Sequence, residues 1–315
     1  MGKRVAVTGA TGFVGSHVIR NLTAAGHQVR ILARRMPIAA LTPGKPLEVV
    51  LGDLDDRPAL RRLVADVDAV IHVAGIIKAR HAGEFYKVNV EGTRHLAVAL
   101  SDLSSDLRVV HISSLAAREP GLSPYCASKR GGEDAIGTLP NPARLTILRP
   151  PAVYGPGDAE IFPLFKAASL GLCAYPASRQ TRLSLIHGAD LAAAIVAAID
   201  TVLPDPVYEL DDGRAGGYAW AEIGTVLSAA LGRSVRMIRV PRPAMTAIAA
   251  GVELHRKLAR SLTALSLAKV PELYHADWAA RGPRLEDRTA WKPAFDLTKG
   301  FADTLAWYRA IGWLR

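Results

Sequence analysis

The chain has 315 residues, half of them hydrophobic and 6% aromatic, enough for one large domain or a main domain with a smaller lobe. Its 39 Lys and Arg exceed 29 Asp and Glu, and the formal net charge of +10 suits an anionic partner: phosphorylated cofactor, acidic substrate, membrane surface or nucleic acid. Two cysteines, Cys126 and Cys173, argue against a disulfide framework, and the longest apolar stretches, such as Ala244 to Val252, are too short to span a bilayer.

In chain order, apolar runs alternate with segments of helical period. Arg4–Thr8 reads as a strand, 13–25 as a helix ended near Gly26, and Gln28–Ala33, 47–51 and Ala69–His72 as three further strands. A long helix is expected over 84–100, a fifth strand over Arg108–Ile112, a helix over Pro124–Ile136 and a sixth strand over 144–148. After Pro150 and Pro151 the pattern loosens, with helices near 191–199, Trp220–Leu231 and Leu297–Ala310 between brief strands. This alternation predicts an α/β protein: a doubly wound, Rossmann-type parallel sheet with a smaller, mostly helical C-terminal substrate lobe. The expected domains are 1–155 for the dinucleotide and 156–315 for the lobe, interleaved with the main sheet. Lys3 and Arg4 lead straight into the first strand without a signal peptide, so a cytoplasmic protein is expected, peripheral at the inner face of the membrane if it meets one.

The string Thr8-Gly9-Ala10-Thr11-Gly12-Phe13-Val14-Gly15 joins the first strand to the first helix. Glycines there permit a tight turn and close approach of backbone to a pyrophosphate, which the helix N-terminus attracts. Gly9, Thr11, Gly12, Phe13, Val14 and Gly15 are therefore candidate cofactor contacts. An acid at the end of the second strand would bind the ribose 2′-OH of NAD; Ala33-Arg34-Arg35 stands there instead. Arg34 and Arg35 suit a 2′-phosphate, so NADP(H) is the expected cofactor, against a solvated basic loop. Asp53 and Leu54, after the third strand, are placed either to meet the adenine or simply to make a turn.

Tyr125-Cys126-Ala127-Ser128-Lys129 opens the Pro124–Ile136 helix, and a spacing of four sets Tyr125 and Lys129 on one face. A phenol ionises near ~10, but a neighbouring ammonium favours phenolate, so Tyr125 becomes a candidate proton donor to a carbonyl. Ser113 and Ser114 end the fifth strand, where a hydroxyl can hold the same oxygen.

These features together resemble the extended short-chain dehydrogenases/reductases, the group of nucleotide-sugar epimerases and 3β-hydroxysteroid dehydrogenase-like enzymes. The similarity spans nearly the whole chain: Thr8–Gly15, Gly52-Asp53-Leu54, His72-Val73-Ala74-Gly75, Asn89-Val90-Glu91-Gly92-Thr93, Ser113-Ser114, Tyr125–Lys129, Arg149 to Asp158, Ser184 to Leu191 and Trp291-Lys292-Pro293. The resemblance implies Ser114 as catalytic serine, Tyr125 as acid–base, and Lys129 as the holder of the nicotinamide ribose that also tunes Tyr125. Ala74, Pro150 and Val153 join the implied cofactor contacts, the 149–153 segment flanking the nicotinamide. Two departures stand out. Sugar dehydratases of the group carry an acidic pair after the catalytic hydroxyl, where Leu115-Ala116 stands here, and the stretch from Ser114 to Tyr125 is short for the family. Both point away from water elimination and from a standard sugar pocket.

His72, His111 and His187 lie in or beside apolar strands with no second ligand at metal spacing, so hydrogen-bonded structural histidines are expected and no metal site. Asn89 is expected to position the helix beneath the site, or to serve a proton relay as the resemblance implies, and Asp190 reads as a helix-start carboxylate. The basic amphipathic segment 242–269 admits two readings, a lobe helix with a solvated face or a helix that lies on an anionic membrane or roofs a pocket for an apolar chain. The expected function is NADPH-dependent reduction of a ketone on a hydrophobic, lipid-like small molecule, of 3-oxo sphingoid or ceramide type. The alternatives are a nucleotide-sugar 4-epimerase, with Arg179 and Arg182 meeting the diphosphate, and a non-catalytic cofactor-binding structural subunit. Dispersed positive charge without a recognition motif argues against nucleic acid, and sequence leaves the oligomeric state open.

Overall fold

The computed structural model describes residues 2–36, 47–101, 103, 106–141, 144–176, 180–259 and 265–314, without the side chains of 255–259. Arg179 lies outside the described residues, as do Arg260 and Leu262 and the side chains of Arg256 and Lys257 in the 242–269 segment.

The chain forms two compact units. The first comprises Met1–Pro150, Leu191–Leu210 and Gly282–Lys292. Its centre is a seven-stranded parallel sheet built from β1 (Arg4–Thr8), β2 (Gln28–Ala33), β3 (Glu48–Leu51), β4 (Ala69–His72), β5 (Arg108–Ile112), β6 (Leu145–Arg149) and Val207–Glu209. Their order is Val207–Glu209, β6, β5, β4, β1, β2, β3. Val5 of β1 pairs with Val29 on one side and Ala69 on the other, so the winding reverses between β1 and β4. Ligands bind such sheets outside the carboxyl ends of the strands at that reversal, which here is the Thr8–Gly15 turn. The strands read as unbroken apolar runs because both faces are covered; all of β4 is buried.

Besides the added edge strand Val207–Glu209, three elements of this unit differ from expectation. Sequence period left Arg57–Val64 unassigned, yet it is a helix: Asp56 caps it by accepting from the Ala59 amide at 2.9 Å, and Ala59, Leu60, Leu63 and Val64 are buried. The expected 84–100 helix starts at Ala82 and contains a π-helical turn over Tyr86–Glu91 before resuming as Gly92–Leu100. Gly92 must be small, since a Cβ there would lie 2.7 Å from Leu54 Cδ1. The sixth strand runs one residue further than expected because Arg149 pairs with Glu209 of the added edge strand.

The second unit comprises Pro151–Asp190, Asp211–Arg281 and Pro293–Arg315. Three two-stranded parallel pairs and the helices Phe162–Ser169, Trp220–Leu231, Arg242–Ala259 and Leu297–Ala310 make it mostly helical. Tyr154, Phe165, Phe301 and Tyr308 form its fully buried aromatic centre, in edge-on contacts with ring centroids 5.0–5.4 Å apart. Gly300 is obligatory there, because a Cβ would fall 2.1 Å from the Tyr154 hydroxyl oxygen. Asp190 does stand in a first helical turn, but its carboxylate accepts from the amides of Ala294 and Phe295, both at 2.9 Å. It joins segments more than 100 residues apart.

Candidate active site

The turn after β1 divides its glycines into two kinds. Gly9 has φ of 73°, and a Cβ there would lie 2.6 Å from the Ala74 amide nitrogen; at Gly15 it would lie 2.0 Å from Gly9 O. Both are required by the chain's own packing. Gly12 is different. It is exposed, and a Cβ there would meet only Gly9 O at 3.4 Å, so the protein itself leaves room. Gly12 begins the Phe13–Ala24 helix with no side-chain cap, and no acid occupies the first turn. The first-turn N–H groups and the positive end of the dipole are thereby left to an anion, which fits the pyrophosphate of a dinucleotide. The two kinds of glycine behave oppositely on substitution. Gly15→Ala should lower the thermal midpoint sharply, whereas Gly12→Ala should change stability by about 1 kcal/mol or less and still abolish dinucleotide binding by titration calorimetry.

Around this turn, Thr8 Oγ1 bonds His72 Nδ1 at 2.7 Å and accepts from the Ala74 amide at 3.3 Å, tying the ends of β1 and β4 together. Arg34 and Arg35 are exposed at the end of β2. Asp53, also exposed, accepts from the Asp55 amide at 2.9 Å, the bond of a turn, while Leu54 packs on the Gly92 side of its neighbouring helix. Pro150 is buried and accepts from the Leu115 amide at 3.0 Å; Val153 belongs to the second unit, on the strand Ala152–Tyr154.

Ser123 caps the Pro124–Ile136 helix by accepting from the Cys126 amide at 3.1 Å, with Pro124 in the first turn. Tyr125, half-buried, faces Phe85 with ring centroids 5.8 Å apart. Lys129 is buried and donates to Ile112 O at 2.8 Å, at the end of β5. Burial pushes its ammonium pKa down to about 8, partly opposed by the Glu133 carboxylate. Ser114 caps a 3₁₀ turn over Leu115–Arg118, accepting from the Ala116 amide at 3.2 Å. That turn takes up the first four residues of the short stretch between Ser114 and Tyr125. Asn89, inside the π turn, accepts from the Ile76 amide at 2.8 Å and donates to Ile76 O at 3.0 Å and Ser128 Oγ at 2.9 Å. Its side chain thus holds the Ile76 loop against the Tyr125–Lys129 helix.

Sequence reasoning missed a buried chain of polar groups under these residues. Glu133, one turn beyond Lys129, accepts from Ser113 Oγ at 2.5 Å and from Arg149 Nε and Nη2 at 2.8 and 2.6 Å. Arg149 in turn approaches Glu209 at 3.5 Å, which pairs with Arg118 at 3.0 Å. The forked Arg–carboxylate geometry locks the ends of β5 and β6 to the helix carrying Tyr125.

The model of the NAD dependent epimerase/dehydratase family matches residues 5–210. The chain belongs to that family. Ceramide reductase of Caulobacter vibrioides (strain NA1000 / CB15N) is 42% identical over 310 residues, 98% of this chain and 96% of the relative. The crystal structure of gox2253 shares the fold with a TM-score of 0.74 at 22% identity, covering all of both chains. MoeE5 in complex with UDP-glucose and NAD gives 0.73 at 20% identity, over 98% of this chain and 99% of that one. As a family member the chain is an oxidoreductase or epimerase of the extended short-chain dehydrogenase/reductase type.

The histidines of this family member divide. His72 bonds Thr8 and Thr93, and burial followed by the Lys129 charge lowers its pKa to about 3, so it is a neutral structural group. His111 corrects the expectation of satisfied histidines: neither ring nitrogen has a partner among the described residues. Its ring stacks on His72 at 5.2 Å, and burial, then His72 and Lys129, holds it neutral, which limits the penalty to that of an uncharged group. His187 is buried, stacks on Phe295 at 4.0 Å and lies 3.3 Å from the Asp303 carboxylate. Among the described residues no helix is long and apolar enough to cross a membrane.

Proposed function

We propose that the protein reduces a ketone on a ceramide-type lipid with NADPH, using Ser114, Tyr125 and Lys129. The observation that carries this reading is the 42% identity to a ceramide reductase across nearly the full length of both chains. It is supported by the lack of a dehydratase acidic pair at Leu115-Ala116 and by the pair Arg34-Arg35 where an acid would favour NAD. Gly9, Thr11, Gly12, Phe13, Val14 and Gly15 cradle the pyrophosphate, Arg34 and Arg35 take the 2′-phosphate, and Asp53 and Leu54 border the adenine. Ala74, Lys129 and Pro150 of the first unit line the nicotinamide end.

The bound cofactor supplies the hydride that the carbonyl carbon gains. Tyr125 gives its phenolic proton to the carbonyl oxygen, completing the alcohol. Ser114 Oγ accepts from the Ala116 amide, and its own O–H would donate to that oxygen. Lys129, held at Ile112 O, places a positive charge one helical turn from Tyr125 and makes the phenol a better acid.

The test is NADPH absorbance with purified protein and a panel of long-chain 3-oxo lipids and UDP-sugars. Turnover of the lipids and not the sugars is expected; inversion at C4 of a UDP-sugar without net NADPH use would replace this reading with an epimerase. Replacing Arg34 and Arg35 together by alanine should raise the KM for NADPH roughly 10-fold or more while leaving that for NADH nearly unchanged, as removal of phosphate-pairing guanidiniums predicts.

A further inference from the structure

The Arg242–Ala259 helix presents its apolar side to water. It follows the strand Arg236–Val240, which pairs in parallel with Leu172–Pro176, and packs against the Leu267–Lys269 turn and the Val270–Leu273 helix. Of residues 242–254 only Ala249 is buried, with Met245, Val252 and Glu253 half-buried on the same side. At 100° per residue, the arc opposite Ala249 carries Ala244, Ala247, Ile248, Ala250, Gly251 and Leu254. None of the six has a charge or a hydrogen-bonding side chain. Ile248 is 49% and Leu254 63% exposed, and the neighbouring Ile238 and Leu267 are 39% and 42% exposed. A surface helix of a globular protein normally turns a polar side outward; here the packed side (Ala249, Met245, Val252) and the outward arc are both apolar.

The segment that leads into the helix is cationic. From Arg233 to Val252 the sequence contains four arginines and no acid. Arg236, Arg239 and Arg242 are exposed, and the charges of Arg239 and Arg242 both act on Tyr274, whose hydroxyl donates to Val240 O at 2.6 Å. The one acid in the described part of the helix, Glu253, is half-buried and accepts from the Leu267 amide at 3.4 Å.

We infer that the Ile248–Leu254 arc and the Arg236, Arg239 and Arg242 guanidiniums form a docking face for an anionic lipid bilayer. The arc immerses in the upper acyl region while the arginines meet lipid phosphates. Charge complementarity selects this occupant, and so does the residue set. Protein interfaces concentrate energy in aromatic anchors seated in pockets, and the arc has no aromatic residue and needs no matching shape to enter fluid acyl chains. The face stands on surface chemistry alone and does not depend on the ceramide reading.

The test is cosedimentation of the full-length protein with vesicles of phosphatidylcholine, with and without phosphatidylglycerol. Wild-type protein should sediment with the mixed vesicles and much less with pure phosphatidylcholine. The double variant I248D/L254D, whose changes lie on the exposed arc and should leave the circular dichroism and melting temperature unchanged, should lose binding by ~10-fold or more. A triple variant, R236A/R239A/R242A, should bind both vesicle types equally weakly. Absence of wild-type sedimentation, or equal sedimentation by wild type and both variants, overturns the inference. So does a dimer in light scattering that I248D/L254D dissolves without any vesicle binding, which would give the face to a second copy. Measured NADPH turnover of a detergent-solubilised 3-oxo lipid separates the two readings, since I248D/L254D should retain it while losing vesicle binding.

Discussion

Tyr125→Phe should lower kcat/KM for a 3-oxo lipid by about 10³-fold, within the ~10²–10⁴ contributed by a positioned general acid. The ring and its contact with Phe85 are retained, so the melting temperature and NADPH affinity should stay near those of the wild type. A loss confined to KM, or one matched by unfolding, would remove Tyr125 from the proton transfer. The same assay has a predicted pH dependence. Lys129 is an ammonium below its depressed pKa of about 8 and a neutral amine above it. In the proposed mechanism that charge assists proton donation by Tyr125, so kcat/KM for reduction is predicted to fall as pH rises through about 8. In the wild type an alkaline limb placed near the free-lysine value of ~10.4 would contradict this.

The second large effect is structural. Glu133→Ala removes the acceptor of Ser113 and the forked partner of Arg149 at once. Arg149, only 12% exposed, keeps just the longer contact to Glu209. Breaking a buried pair from one side costs about 3–5 kcal/mol, which a urea midpoint reads directly. Glu133→Gln keeps the volume and a partial acceptor, so it should lose less stability yet still move the alkaline limb to lower pH. The sign follows from the charge: the Glu133 carboxylate raises the Lys129 pKa against burial, and without it the ammonium is lost earlier. Equal stability of Glu133→Ala and wild type would show that the chain from Ser113 to Arg118 is dispensable.

Local patterns are what the sequence makes readable. β1, β2, β4 and β5 announce themselves because a parallel sheet covered on both faces demands unbroken Val, Ile and Ala runs. The Thr8–Gly15 turn and the Tyr125–Lys129 spacing are legible for the same reason, each lying within one turn or one loop. Arg57–Val64 hides behind three arginines over only two turns, too short for period to dominate. Val207–Glu209 is three residues beside Pro204 and Pro206, and only its pairing with β6 makes it a strand. The Glu133 network is invisible for another reason: Ser113 and Arg149 lie 20 and 16 residues from it, and Glu209 lies 91 from Arg118. Nothing local marks such a set. The unpartnered nitrogens of His111 likewise follow from its stacking beneath the helix at Gly132, where a Cβ would lie 3.6 Å from Nε2.

One labelling measurement bears most directly on the proposed chemistry. Protein incubated with NADPH deuterated at the reactive C4 position and a 3-oxo ceramide should yield a product carrying one deuterium on the new carbinol carbon, with one NADP⁺ formed per alcohol. Deuterium that never leaves the nicotinamide, or that appears instead in a UDP-sugar inverted at C4, would contradict it.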